Sequence, residues 1–267
     1  MNNQVLIGQY IETHSVFHRL DPRTKLISLV IVMLSFISLD TAFSYLIASV
    51  FVIGAVFLTR IPVVVFWRGF KPLGIILLFT LVYNILFTQG HIVWSWGWLE
   101  ITTEGLQNGV RFVWRIVLLI VLAAILTLTT PPLTLAYGLQ KLMSPLSKLN
   151  VPVEQFSLMI VIAIRFIPTI LEELERILLA QKARGYDITT LRFSQRILAY
   201  IPILVPLLFT IVQRAEHLSD AIDARAYGNG KGRTSYRHLQ LQSIDYIVIV
   251  IAIVFAVSLL LLHIMNR

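Results

Sequence analysis

The side chains that could do chemistry in this chain are mostly arginines, and two of them recur in one setting. Ala183-Arg184-Gly185-Tyr186 has a near copy 41 positions later in Ala224-Arg225-Ala226-Tyr227. A guanidinium flanked by small residues can reach a partner surface together with its own backbone, because no neighbouring side chain holds that surface away. It offers that surface a bidentate ion pair with a carboxylate, which is docking rather than bond making. A basic helix end, drawn to the C-terminal dipole and to anionic lipid, would account for either arginine singly. It does not account for two helices that share alanine before the arginine, a small residue after it and tyrosine next, so docking is the reading adopted.

Groups suited to catalysis or metal binding are sparse. Cysteine is absent, which removes thiolate nucleophiles, thiolate metal sites and disulfides. No Gly-x-Ser-x-Gly or Glu-x-x-His pattern occurs. His14 and His18 stand at i,i+4, but Asp21-Pro22 places them ahead of the first helix, in irregular chain and without a third ligand. Gly228-Asn229-Gly230-Lys231-Gly232 has the glycines of a phosphate cradle, yet it follows a helix and lacks the Lys-Ser/Thr ending. Arg111 and Arg115, one turn apart, offer either a polar seat for a partner or lipid head groups, or a pair that snorkels to the membrane surface; snorkelling is the simpler account. Arg165 is expected to be an internal strut paired with an acid or a carbonyl.

The elements that carry these residues are set by composition. The chain has 267 residues, 57% of them hydrophobic and 13% charged. Soluble proteins average about 25% charged residues, so this is an integral membrane protein. The net charge of +8 is regional: 13 of the 22 Lys and Arg fall between 131 and 240, and two between 72 and 130. Membrane topology explains such a bias better than nucleic acid does. The opening residues lack the long apolar core and small-residue cleavage site of a signal peptide.

Five apolar runs read as spans: Leu26 to Leu39, Phe43 to Leu58, Leu73 to Phe87, Val110 to Leu128 and Tyr246 to Leu262. Asp21-Pro22 is a cap-then-proline start for the first. Arg60, Arg68 and Lys71 mark a cytoplasmic loop. The loop from Gln89 to Gly109 has no Lys or Arg but holds Trp94, Trp96 and Trp98, and reads as an outer, interfacial one. The N-terminus is then inside and the C-terminus outside.

From 131 to 240 the helices are too polar to span and too apolar to be free in water. Leu133 to Leu146 is a short amphipathic piece; Val153 to Arg184 and Leu191 to Tyr227 are longer, with Pro168 in one and Pro202 and Pro206 in the other. In the first of these, Ile170, Leu171, Leu174, Ile177 and Leu178 share a face, opposite Glu172, Glu173, Glu175 and Arg176, and Glu172 and Arg176 are spaced to pair. Aligned at the 41-residue offset, Ala180 meets Ala221 and Glu175 meets Glu216, so the two helices are versions of one device. The predicted architecture is an all-α polytopic membrane protein. It has a four-span bundle over 1–130, an insertion of three amphipathic helices over 131–240, and a last span over 241–267.

At these residues the chain resembles the transmembrane T component of energy-coupling factor transporters, vitamin and metal importers of the ATP-binding-cassette group. The resemblance rests on His18-Arg19-Leu20-Asp21-Pro22-Arg23-Thr24-Lys25-Leu26, on Thr130-Pro131, on Arg165-Phe166-Ile167-Pro168, and above all on the two tips, where the second has Ala226 in place of the glycine of many members. It implies a non-catalytic subunit of the cell membrane that joins two cytoplasmic ABC-type ATPases to a separate substrate-binding membrane S component. Ala183, Arg184, Gly185, Ala224, Arg225 and Ala226 would dock on the ATPases. No cofactor is expected on this chain, since ATP would bind its partners, and the lipid bilayer but no nucleic acid is expected as a further partner. The alternatives are a conventional ABC permease that forms its own path and an intramembrane enzyme.

Overall fold

The computed structural model describes residues 10, 11, 13, 15–96, 99–149, 151–186, 198, 200–226 and 240–266. Tyr227, the 228–233 loop, His14, Trp98 and most of 187–200 lie outside the described residues, as do the side chains of Arg68, Lys71, Trp94 and Trp96. The chain forms two compact units, 1–142 with 239–267, and 143–238.

In the first unit a short helix α1 (Val16–Arg19) leads into α2 (Pro22–Ser35), which runs on as a single-turn 3-10 segment, Phe36–Ser38. Then come α3 (Ala42–Thr59), α4 (Val63–Phe70), α5 (Gly74–Phe87), α6 (Thr103–Thr129) and α7 (Pro132–Met143), and after the second unit α10 (Ser243–Met265). Helices stand at all five predicted spans. The start of α2 follows from its sequence: the Asp21 side chain accepts from the Arg23 N–H at the N-cap and Pro22 fills the first helical position. The Trp-rich loop contains a feature the sequence reading lacked, an antiparallel pair of β1 (Ile92–Trp96) and β2 (Leu99–Thr102).

Two polar ends fix how the helices run. At one, the Asp21 N–H donates to Asp245 Oδ1 (2.9 Å) and the Gln242 N–H to Asp245 Oδ2 (2.7 Å), tying the start of α2 to the start of α10. Lys25 Nζ donates to the Thr129 carbonyl (3.2 Å) and Thr130 Oγ1 (2.7 Å) at the end of α6. All of these side chains are buried. At the other end, Asp40 accepts from His263 Nδ1 at 2.6 Å and faces Arg115 at 3.9 Å, while Arg115 also donates to the Leu39 carbonyl. So α2 and α10 run parallel, with α6 opposed to both.

Between the ends, Phe255 of α10 stacks on Phe51 of α3 (centroids 4.0 Å apart) and meets Phe36 edge-on at 6.4 Å. These rings share a core with Val32, Val52, Leu122 and Leu259. α5 and α6 approach through Gly105 and Gly109, four apart on one face. A Cβ on Gly105 would lie 2.8 Å from the Asn84 carbonyl, so only glycine admits this separation. The outward faces carry exposed Val50, Phe57, Phe79 and Ile251, as a bundle solvated by lipid requires.

The second unit holds a 3-10 segment, Ser144–Leu149, then α8 (Val153–Ala183) and α9 (Ile201–Ala224), which pack on each other. Among the described residues four helices are long and apolar enough to cross a membrane: α3, α6, α9 and α10. The sequence reading placed α9 among helices too polar to span. It reaches the range because its apolar residues gather in its first half, from Ile201 to Val212, and its mean hydropathy of 1.3 is below the 2.2 to 3.2 of the others.

Candidate functional site

The two arginine tips fold the same way. α8 ends at Ala183, and Arg184 follows as C-cap with φ −84° and ψ 7°. α9 ends at Ala224, and Arg225 follows with φ −87° and ψ 8°. In each, the next residue turns left-handed: Gly185 at φ +83° and Ala226 at φ +51°. The Gly185 N–H donates to the Lys182 carbonyl (3.0 Å) and the Tyr186 N–H to the Gln181 carbonyl (3.0 Å), which is the Schellman pattern. The Ala226 N–H makes the equivalent bond to the Asp223 carbonyl at 2.8 Å. A left-handed alanine costs roughly 1–2 kcal/mol, so the second tip holds this shape against a local penalty.

Both triplets, Ala183-Arg184-Gly185 and Ala224-Arg225-Ala226, are exposed throughout, and a Cβ built on Gly185 would meet no atom within 4 Å. The small residues therefore leave clear ground around each guanidinium. Each arginine also sits at the negative end of its helix dipole.

Behind the tips, a half-buried line of Ile170, Leu174, Ile177 and Gln181 runs along α8, and one of Ile203, Leu207, Ile211, Leu218 and Ile222 along α9, with Ile203 and Leu207 buried. On α8 this is the face read from the sequence, except that Leu171 and Leu178 lie outside the half-buried line and are exposed. On α9 the expected face is Leu208, Ile211, Val212, Ala215, Leu218 and Ile222, of which Leu208, Val212 and Ala215 are exposed instead. Gln181 Nε2 donates to the Pro202 carbonyl at 3.4 Å, so the Arg184 end of α8 meets the beginning of α9. Arg225 lies at the far end of α9, a helix of 24 residues and hence ~36 Å. Large apolar side chains remain uncovered on both helices, among them Phe156, Met159, Ile167, Leu204, Leu208 and Phe209.

The other candidates resolve differently. Arg176 pairs with Glu173 at 3.2 Å, one residue short of the expected Glu172, because an i,i+3 carboxylate also lies within reach on a helix. Arg165 is exposed, and among the described residues no acid or carbonyl pairs with it, so it is not an internal strut there. Arg111 and Arg115 part company: Arg111 stays exposed, and Arg115 turns inward to Leu39 and Asp40. His18 lies in α1 rather than in irregular chain, with Nε2 donating to the Ile11 carbonyl (2.9 Å) and Nδ1 accepting from the Ser15 hydroxyl (2.7 Å). Sequence reasoning passed over Asp245 and Gln181. The Gln242-x-x-Asp245 capping box was a legible signal for the first, while the second depends on a contact between helices.

Comparison with known proteins follows the same residues. A family model described as a cobalt transport protein, CbiQ, matches residues 13–236. The energy-coupling factor transporter transmembrane protein EcfT of Lactococcus lactis is 41% identical over 259 residues, covering 96% of this chain and 97% of its own. That of Bacillus subtilis is 41% identical over 264 residues, covering 98% and 100%. That of Ruminiclostridium cellulolyticum is 37% identical over 263 residues, covering 98% of each.

Proposed function

From the premise that this chain belongs to the family of energy-coupling factor transporter transmembrane proteins, we propose that it is the coupling subunit of its transporter, passing ATP-driven motion of two cytoplasmic ABC-type ATPases to a substrate-binding membrane S component for vitamin or micronutrient uptake. Arg184 and Arg225 each dock on one ATPase. ATP binds those partners, and this chain is non-catalytic. The observation that carries the reading is the shared backbone of the two tips, each an exposed arginine C-cap followed by a left-handed small residue. One backbone shape at two helix ends suits two partners of one kind.

Sidedness follows the charge. The bundle end where α2 begins and α3 ends carries Arg19, Arg23, Lys25 and Arg60, and the opposite end carries Asp40 and Glu104 with Arg111 and Arg115. The positive-inside rule supports a cytoplasmic N-terminus and an outer end of α10, and the Lys and Arg excess of 131–240 supports a cytoplasmic side for α8 and α9 in its own right. The uncovered apolar faces of α8 and α9 suit a platform for another membrane subunit, which supports an S component as the third partner.

Replacing Arg184 and Arg225 with Glu, singly and together, tests the reading by co-purification with the ATPases and by vitamin uptake in cells. Each single change should weaken ATPase retention and the double change should abolish uptake. Unimpaired assembly and transport in the double variant would remove the docking role, and uptake that persists without any S component would favour a permease with its own path.

A further inference from the structure

Two cavities in the first unit share a wall. The larger, about 360 Å³, lies among α1, α2, α3, α6 and α10 and is lined almost wholly by apolar side chains, including Phe17, Leu29, Val50, Phe51 and Ile251. The smaller, about 270 Å³, is lined by Ser15, Val16, Arg19, Phe57, Leu58 and Arg60. Val16 and Leu58 line both, so the basic cavity lies directly beside the apolar one. Arg19 and Arg60 are exposed, have no acidic partner among the described residues, and no carboxylate lines either cavity. Lys25 borders the apolar space, but its ammonium is held by the Thr129 carbonyl and Thr130 Oγ1, which leaves the arginines as the cations for a ligand.

We propose that these two neighbouring cavities together bind one anionic phospholipid, with an acyl chain between α2 and α3 and the headgroup phosphate between Arg19 and Arg60. The occupant follows from the chemistry of the walls. An apolar chamber beside a pair of guanidiniums without acidic partners among the described residues, at the basic end of a membrane bundle, matches a molecule that joins a hydrocarbon chain to a phosphate. The exposure of Val50 (62%) and Leu58 (56%) leaves the α3 wall open towards lipid, so entry is lateral. Gly54 lines the chamber and a Cβ there would meet nothing within 4 Å, so this stretch of α3 is unfilled by protein. Arg60 is held beside the mouth in the left-handed region at φ +56°, a conformation a non-glycine residue adopts at a cost.

The test uses the purified full chain in detergent and native mass spectrometry, with palmitoyl-oleoyl phosphatidylglycerol and the matching phosphatidylcholine in equal amounts. Wild type should retain one phosphatidylglycerol in preference to phosphatidylcholine. Each arginine near an anionic surface adds about a five-fold preference, so Arg19→Gln with Arg60→Gly should lower it by ~25-fold, towards parity. Arg60→Gly also relieves the left-handed strain, so a loss cannot be laid to an unstable fold; melting temperature checks this. Gly54→Leu should fill the chamber and reduce retention of both lipids at a melting temperature no lower than that of wild type. Equal retention of the two lipids by wild type, unaltered binding in these variants, or displacement of the lipid by inorganic phosphate alone would each overturn the proposal.

Discussion

Gln181 supplies the hydrogen bond that Pro206 withholds from Pro202. In an unbroken helix the Pro202 carbonyl would accept from the N–H four residues on, but that residue is Pro206, which has none. Gln181 Nε2 reaches across from α8 and donates to the freed oxygen at 3.4 Å. The carbonyl freed by a proline in one helix is thereby the attachment point of the other.

The pair can be separated by a double-mutant cycle. Gln181→Ala should cost about 1 kcal/mol in the wild-type background and close to nothing after Pro206→Ala, which restores the N–H within α9. Thermal unfolding of the purified chain and its variants reads both values.

Ala226→Gly should stabilise α9 by ~1 kcal/mol, because glycine takes φ near +51° without the Cβ clash, whereas Gly185→Ala should destabilise α8 by a similar amount. Neither change touches a guanidinium, so ATPase co-purification should survive both. Hydrogen exchange at the last turn of each helix reports the local effect.

The buried Asp245 carboxylate holds the N–H of buried Asp21 and that of exposed Gln242, so removing it strands the first. Asp245→Ala should cost ~1–3 kcal/mol, the cost of one buried unsatisfied donor. Asp245→Asn retains one acceptor and should cost less. Guanidine-free thermal melts of the chain in detergent rank the three proteins.

Gly105→Val should abolish recovery of folded protein, because its side chain would enter the Asn84 and Ile85 carbonyls of α5. Gly54→Ala, also within a helix but facing open space, should instead raise stability by roughly 0.5–1 kcal/mol. Size-exclusion profiles and melting temperatures distinguish the two outcomes.

The helices were legible because lipid-facing sequence is nearly continuous in hydrophobicity, and the caps at Asp21-Pro22 were legible because capping is local. The common backbone of Arg184 and Arg225 was foreshadowed by the repeat of neighbouring residue types. What escaped was set by pairing across the fold. Arg115 turns inward because Asp40 and the Leu39 carbonyl, more than seventy residues earlier in the chain, end the 3-10 segment beside it. Arg111, one turn away, has no such neighbour among the described residues. The β1–β2 pair escaped because the tryptophans in it signal an interface without dictating a strand.

α9 is joined to α8 near its first residues through Gln181 and ends at the exposed Arg225. Such a rod is a lever with its fulcrum at Pro202. With an arm of ~36 Å, every degree of tilt carries the Arg225 end through ~0.6 Å. A displacement of one helical turn at the tip thus needs a rotation of only ~9° at the hinge, a change that one proline-kinked turn can absorb while the cores of both helices stay intact.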